Sequence, residues 1–189
     1  TTILKSGPAL IANPTLYDNR SSPSQIGTGS WSLITSGLNY NVAVDNNGLL
    51  YSWGDNTNGY LGNNSVAVSR SPILIDGNNS YTSISSGGSH TMALRSDSTL
   101  YAWGVNNAGQ LGDNSTTNRS SPVQVNTGII TSWNFISAGS SHTMGIDATY
   151  NIPYGWGLNS SGQIGDTTTI NKSTPVQISI SSVLNYSVF

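Results

Sequence analysis

The feature that most constrains the fold of this chain is an internal repeat. Trp-Gly pairs recur 50 and then 53 residues apart, at Trp53-Gly54, Trp103-Gly104 and Trp156-Gly157. Other positions keep the same spacing: a large aromatic at Trp31, Tyr81 and Trp133, Gly at Gly37, Gly87 and Gly139, and Pro at Pro23, Pro72, Pro122 and Pro175. Each Trp-Gly pair is followed by Asn and two spaced glycines. A period of this length predicts a tandem array of structural units.

Each unit contains four short segments typical of β-strands. The first begins at the repeated aromatic, and the second is an apolar segment, at 41–45, 91–95 and 143–147. The third follows a turn and ends on Trp-Gly, which indicates a β-hairpin. The fourth begins after the repeated Pro, which we expect at its first position, where no ladder hydrogen bond is lost. Four short strands in each unit predict an all-β propeller with about three to four blades of four antiparallel strands.

The repeated residues have structural roles that fit this architecture. The indole of each Trp-Gly pair is large enough to fill the gap between adjacent blades, and the Gly permits a turn that other residues resist. The Asn that follows is expected to hold the long loop by side-chain bonds to the backbone. We therefore assign Trp53, Gly54, Trp103, Gly104, Trp156 and Gly157 to structure.

The composition excludes several classes of protein. Only 7% of the 189 residues are charged, there is no Cys, and the net charge is −2. The chain therefore has neither disulfides nor thiolate–metal sites, and no general attraction to nucleic acid. No apolar run approaches the ~18 residues that a membrane span requires, so we expect no membrane insertion. Low charge with abundant Asn, Ser and Thr favours an extracellular or virion-surface protein.

Two stretches carry a family resemblance. Residues 100–112 read Leu-Tyr-Ala-Trp-Gly-Val-Asn-Asn-Ala-Gly-Gln-Leu-Gly, and residues 137–146 read Ser-Ala-Gly-Ser-Ser-His-Thr-Met-Gly-Ile. Over about residues 20–178 the chain resembles the regulator of chromosome condensation repeat family. The resemblance implies a β-propeller, usually seven-bladed. Members of that family serve as nucleotide exchange factors for a small GTPase, as a secreted β-lactamase inhibitor, and as unassigned modules of bacterial and viral proteins.

The repeats suggest a division of the chain into three parts. Residues 23–178 are the tandem propeller repeats, and residues 179–189 are the start of a further repeat or a tail. Residues 1–22 are, as a hypothesis, strands that complete the last blade. Because three blades alone would leave two apolar faces uncovered, we expect part of a longer polypeptide or a homo-oligomer.

The two histidines are candidates for metal binding or general-base catalysis. His90 and His142 occupy the same repeat position, where the first unit has Tyr40. This register favours a structural role, with backbone groups as hydrogen-bond partners. Neither a nucleophile nor paired carboxylates accompany them, so we predict no catalytic residues, no metal, no cofactor and no enzymatic activity.

The aspartates also recur in register. Asp45 and Asp147 follow a strand, and Asp113 and Asp166 follow the last Gly of a long loop. Capping of turns is favoured over a calcium site, which needs about six converging oxygens.

Binding candidates lie on the long loops, at residues 55–69, 105–118 and 158–171, because recognition commonly uses loops on a rigid scaffold. Tyr60 replaces Gln110 and Gln163 of the other units, and we expect it to be an exposed contact residue. Four basic residues precede the repeated Pro and form a predicted stripe: Arg20, Arg70, Arg119 and Lys172. Pairing with neighbouring Asp is favoured over partner contact. Four charges are too few for tight nucleic-acid binding.

The first functional hypothesis is a non-enzymatic propeller module. It would serve as a structural or receptor-binding part of an extracellular or phage appendage, with a protein partner or another copy of itself. The alternatives are a guanine-nucleotide exchange factor and a propeller-type enzyme inhibitor.

Overall fold

Each repeat unit forms one four-stranded antiparallel sheet. The structure is a computed structural model that describes residues 22–125, 128, 130 and 132–178. Its first sheet contains β1 (Trp31–Ser36), β2 (Tyr40–Asp45), β3 (Leu50–Gly54) and β4 (Ser69–Asp76). The second contains β5 (Tyr81–Ser86), β6 (His90–Arg95), β7 (Leu100–Gly104) and β8 (Arg119–Gln124). The third contains β9 (Trp133–Ala138), β10 (His142–Asp147), β11 (Pro153–Gly157) and β12 (Lys172–Gln177).

The strand order in every sheet follows the order along the chain. The predicted all-β fold with four-stranded propeller blades is therefore confirmed, and the described residues hold three such blades. Residues 1–21 of the N-terminal segment, the tail at 179–189 and any fourth blade lie outside the described residues. Within the described part of the chain, no helix is long and apolar enough to cross a membrane.

The three blades are built in the same register. In the central hairpins, Tyr40 pairs with Gly54, His90 with Gly104, and His142 with Gly157. Gly104 has a φ of 103°, and a Cβ there would lie 2.6 Å from the carbonyl oxygen of Ser89. The Gly of the Trp-Gly pair is thus required both by its backbone conformation and by the closeness of the adjacent strand.

The repeated Pro does not start its strand, and this prediction is wrong. Pro72, Pro122 and Pro175 lie inside β4, β8 and β12. Each of these strands is at the edge of its sheet, and the pairing with the neighbouring strand is irregular at the Pro. An edge strand with a bulge tolerates a residue that has no N–H.

The hydrophobic core lies between blades rather than within one. One cluster joins the first two blades through Tyr40, Val42, Val44, Leu50, Leu61, Tyr81, Ala93 and Trp103. The other joins the second and third through Met92, Leu94, Leu100, Ala102, Leu111, Val125, Trp133, Ile136 and Trp156. Adjacent blades therefore depend on each other for burial, as expected for stacked repeats.

The outer face of the third blade shows the same dependence. Met144 and Ile146 are only half-buried, although Met92 and Leu94 at the same positions of the second blade are buried against the third. No described blade packs on Met144 and Ile146. That the array continues, in a longer polypeptide or in another copy, stays a prediction.

The tryptophans of the second and third Trp-Gly pairs pack on the loop of the preceding blade. Trp103 is fully buried, and its Nε1 donates to the carbonyl of Tyr60 at 2.9 Å. A Cβ at Gly62 would lie 2.8 Å from that Nε1, so the loop needs Gly there to admit the ring. Trp156 packs in the same way on Gly112, but its buried Nε1 has no hydrogen-bond partner among the described residues.

This difference predicts unequal costs for the same substitution. Trp103→Phe leaves the carbonyl of Tyr60 unpaired, whereas Trp156→Phe removes a donor that is already unpaired. We expect Trp103→Phe to lower the free energy of unfolding by about 1–2 kcal/mol more than Trp156→Phe. Urea denaturation of both variants measures the difference. Equal losses would show that the indole N–H bond contributes nothing to blade stacking.

Candidate functional site

The long loops lie together at one end of the sheets. In an antiparallel sheet in chain order, the connections β1–β2 and β3–β4 leave from the same end, as do their counterparts in the other blades. Backbone bonds join this end between blades, from Leu38 N to Gly88 O and from Gly88 N to Ser140 O, both 3.1 Å. We call this end the loop rim.

A buried asparagine holds each long loop of the rim. Asn106 is fully buried, and its Nδ2 donates to Asp113 Oδ1, Ser115 O and Thr117 O at 3.0–3.2 Å. Its Oδ1 accepts the N–H of Leu111 at 2.9 Å. Asn56 and Asn159 make equivalent bonds in the other two loops. The predicted role of this Asn is confirmed, and it makes the loops rigid rather than adaptable.

Ion pairs reinforce the second and third loops. An Nη of Arg119 lies 2.6 Å from Asp113 Oδ2, and Lys172 Nζ lies 3.1 Å from Asp166 Oδ2. Burial acts to raise the pKa of Asp113, but hydrogen bonds from Ser115 and Arg119 outweigh it, so that the pKa falls below its ordinary value. The same balance, with bonds from its own loop, lowers the pKa of Asp166. Arg119 and Lys172 thus each stabilise the long loop of their own blade through an ion pair.

Arg70 does not share the position of Arg119 and Lys172, so the predicted stripe does not hold at Arg70. Gly54 pairs with Ser69, whereas its counterparts in the other blades pair with Arg119 and Lys172. Arg70 is therefore one residue out of register. It is exposed and, unlike Arg95, Arg119 and Lys172, forms no ion pair within the described residues. Arg20 lies outside the described residues.

The aspartates at the opposite end of the sheets cap turns. Asp45 Oδ1 accepts the N–H groups of Asn47 and Leu49, each at 2.9 Å. Asp147 accepts three backbone N–H groups in its own turn, which lowers its pKa. The favoured interpretation of these residues is confirmed. Among the described residues, no group of three or more His, Cys, Asp or Glu is placed to hold a metal ion.

Tyr60 is half-buried rather than exposed, so that expectation is wrong. Its ring stacks on Tyr40, with 5.4 Å between ring centroids. The second blade has His90 and Gln110 at these two positions, and Gln110 accepts the N–H of Ala108. In the first blade, a pair of aromatic rings thus replaces this arrangement. A binding role for Tyr60 stays a prediction.

His90 links the second blade to the third. Its ring is fully buried, with Nε2 2.9 Å from Thr143 Oγ1 and no partner for Nδ1 in the described structure. Thr143 donates its own hydroxyl proton to Gln110 O, so His90 Nε2 carries a proton and donates. The prediction that backbone groups satisfy this histidine is wrong, since a side-chain hydroxyl does. Burial lowers the pKa of His90 to about 3, which keeps the ring neutral.

The same repeat position forms a link in the first blade. Tyr40 Oη donates to His90 O at 2.6 Å and accepts from Thr91 Oγ1 at 3.1 Å. Burial raises the pKa of Tyr40 to about 12. The equivalent residue of the third blade, His142, is half-buried. The register prediction for Tyr40, His90 and His142 therefore holds, and two of the three demonstrably join neighbouring blades.

The first blade carries three exposed aliphatic side chains at the rim that the sequence reasoning missed. Leu38, Val66 and Val68 of the rim are 77%, 63% and 61% exposed. The residues in register with Leu38 are Gly88 and Ser140, those with Val66 are Thr116 and Thr169, and those with Val68 are Asn118 and Asn171. Asn118 and Asn171 accept the N–H of their loop asparagines, a bond that Val68 cannot make. A comparison of the loops with one another would have revealed these departures.

The comparison with known proteins identifies the repeats. The model of the family described as the regulator of chromosome condensation (RCC1) repeat matches residues 47–94, 97–146 and 154–186. No curated protein matches the chain.

Solved structures share the fold. Human WBSCR16 is 17% identical with a TM-score of 0.73, over 83% of this chain and 40% of that protein. Prp20p of Saccharomyces cerevisiae, in a structure reported with its binding to Gsp1p and histones, is 24% identical with a TM-score of 0.71, over 81% and 39%. Yeast RCC1 (Prp20) bound to Kap60 gives 24% and 0.72, over 81% and 38%. The chain thus spans about two fifths of the length of these proteins.

The buried loop asparagine predicts a sensitive site. Asn106→Asp keeps the shape but places a carboxylate against Asp113 and two carbonyl oxygens. We expect a loss of about 3 kcal/mol or more in the free energy of unfolding at neutral pH, because the new charge is buried without a partner. Asn107→Asp is the control, since this residue is exposed and accepts a hydrogen bond. Urea denaturation that finds equal stability for the two variants would contradict the role of Asn106.

The low pKa of His90 predicts a pH dependence of stability. The unfolded chain binds a proton at this ring below about pH 6.5, whereas the folded chain does so only near pH 3. The free energy of unfolding should therefore fall as the pH decreases from 6.5, at a limiting slope of about 1.4 kcal/mol per pH unit. His90→Gln, which keeps a donor, should flatten this slope between pH 6.5 and about 4.5, above the range where the aspartates titrate.

Denaturation at a series of pH values measures both slopes. In addition, the NMR signals of the His90 ring should show no titration over the same range. A ring that protonates near pH 6 in the folded protein would contradict its burial.

Proposed function

The chain belongs to the regulator of chromosome condensation repeat family, whose repeat model matches more than half of its residues, and we propose that it is a non-catalytic propeller module that binds a protein partner through its loop rim. The observation that carries the proposal is the construction of the rim. A buried Asn fixes each of the three long loops, and backbone bonds join neighbouring blades at the same end. A partner would meet a rigid surface, which limits the entropy lost on binding.

The assignment to a non-catalytic module is supported by the bonds that ionisable side chains already make within the fold. His90 is buried in a link between blades, and Asp45 and Asp147 cap turns. Asp113 and Asp166 neutralise the basic residues of their own loops. These side chains stabilise the fold. Each would have to break its present hydrogen bonds or ion pair before it could act on a substrate.

A protein as the class of partner is supported by the similar structures. Prp20p is reported with its binding to Gsp1p and histones, and yeast RCC1 (Prp20) is bound to Kap60.

Nucleotide exchange on a small GTPase is the second candidate, favoured by the family and by the similarity to Prp20p. It predicts that the chain accelerates release of fluorescent GDP from a small GTPase. A module that only binds a protein would leave the release rate unchanged.

We propose the location of the module from its amino-acid composition. A charged fraction of 7% and the abundance of Asn, Ser and Thr support an extracellular or virion-borne assembly, such as a phage appendage. An antibody against the chain should then detect it in culture supernatant or purified virions of the native source. Detection in the cell lysate alone would oppose this proposal.

The rim can be tested by site-specific blocking, because the chain has no cysteine. Single substitutions Val66→Cys, Thr116→Cys and Thr169→Cys place a thiol at the same exposed position of each long loop. Ser96→Cys places one on an exposed turn at the opposite end of the sheets. Each thiol is coupled to a polyethylene glycol maleimide.

The probe is a set of peptides selected from a random phage-displayed library on the unmodified chain. We expect at least one rim label to reduce peptide binding by tenfold or more, and the label at residue 96 to leave binding unchanged. Loss of binding with the Ser96→Cys label alone, or failure to select any peptide, would overturn the proposal. Circular dichroism of each labelled variant confirms that the fold is retained.

A further inference from the structure

The first blade differs from the other two at the rim in a consistent direction. Its positions 38, 66 and 68 carry Leu, Val and Val, all more than 60% exposed. The second and third blades carry only Gly, Ser, Thr and Asn there. Because all three blades have the same backbone and register, this contrast is a property of the side chains and not of the scaffold.

The first blade also lacks stabilising bonds that the other blades have. Val68 stands where Asn118 caps the N–H of Asn106, and Asn63 and Ser69 stand where Asp113 and Arg119 form an ion pair. The loop has therefore lost a cap bond and an ion pair. The same loop exposes aliphatic side chains, and their exposure to water is unfavourable. Such exposure at a rigid loop is expected where the groups contact a partner.

Arg70 supplies the charge of this surface. It follows Val68 by two residues, and all three positions 66, 68 and 70 are exposed. The other three basic side chains of the described residues are held in ion pairs at 2.6–3.1 Å. Arg70 thus presents a guanidinium that can form bidentate hydrogen bonds with a carboxylate.

We propose that Leu38, Val66, Val68 and Arg70 form the contact surface of the rim, and that it binds a protein segment with aliphatic side chains and an adjacent carboxylate. The surface is termed the first-blade patch. This inference rests on the proposed rim function and adds the blade that is used and the chemistry of the partner. Each valine that is fully desolvated adds to the affinity, and the arginine selects for Asp or Glu.

The test uses the peptides selected on the unmodified chain. We expect their sequences to be enriched in Leu, Ile or Val together with Asp or Glu. The double variant Val66→Ser/Val68→Ser should bind them at least tenfold more weakly in biolayer interferometry. The matched control is Ile170→Ser, because Ile170 is 67% exposed on the long loop of the third blade.

The charge is tested separately. Arg70→Glu should weaken binding of the acidic peptides by tenfold or more, whereas substitution of their Asp or Glu by Lys should restore binding to this variant. All substituted side chains are exposed, so urea denaturation should find the stability of every variant unchanged within experimental error.

The outcomes separate this inference from the proposed function. If peptides bind and a rim label at Thr116→Cys or Thr169→Cys blocks them, while the Val66→Ser/Val68→Ser variant binds normally, the rim function stands and the first-blade patch is wrong. If Ile170→Ser weakens binding as much as the double valine variant, the patch is equally overturned. Selected peptides without acidic residues, or unaffected by Arg70→Glu, would remove Arg70 from the surface.

Discussion

The structure depends on the packing of one indole between neighbouring blades. Trp103 and Trp156 close the gap to the preceding blade, where Gly62 and Gly112 leave room for their rings. Neither blade could bury these groups alone, so the sheets are stable only as a stack. The long loop that contains the Gly is therefore fixed from two sides, by the tryptophan of the next blade and by its own buried asparagine. A rigid rim is the direct consequence of how the blades pack.

The rim contains residues that stabilise the loops and residues that differ from one blade to another. In the second and third blades the Asp–Arg and Asp–Lys pairs, together with Asn118 and Asn171, stabilise the loop conformation. The first loop retains its buried Asn56 but replaces several of the other groups. The fold is kept because the Asn bonds and the indole packing are sufficient. The same loop architecture thus provides a structural element in every copy and, in the first copy, the surface that we propose for recognition.

Much of the fold could be predicted from the sequence, because an internal repeat is visible as the same residues at a fixed spacing. The strands, the role of Trp-Gly, the loop Asn and the turn-capping Asp residues all recur at fixed spacing and follow from local backbone chemistry. Apart from the place of Pro within its strand, the predictions that failed concern the surroundings of particular side chains. The exposure of Tyr60 and the partner of His90 each depend on which side chain of the neighbouring strand or blade lies opposite, and a spacing does not contain that information. The different position of Arg70 is present in the sequence, because Arg70 lies 16 residues after Gly54, whereas Arg119 and Lys172 lie 15 residues after Gly104 and Gly157.

The sequence by itself determined that this chain forms four-stranded propeller blades, since each period of about 50 residues holds four short strand-type segments separated by turns. Only the tertiary structure decided which basic residue is available. Arg119 and Lys172 each lie within 3.1 Å of an aspartate that precedes their strand, whereas Arg70 stands one position later in its strand, has Asn63 in place of that aspartate, and stays exposed. Whether a basic side chain forms an ion pair depends on its distance from a carboxylate, and only the folded structure sets that distance.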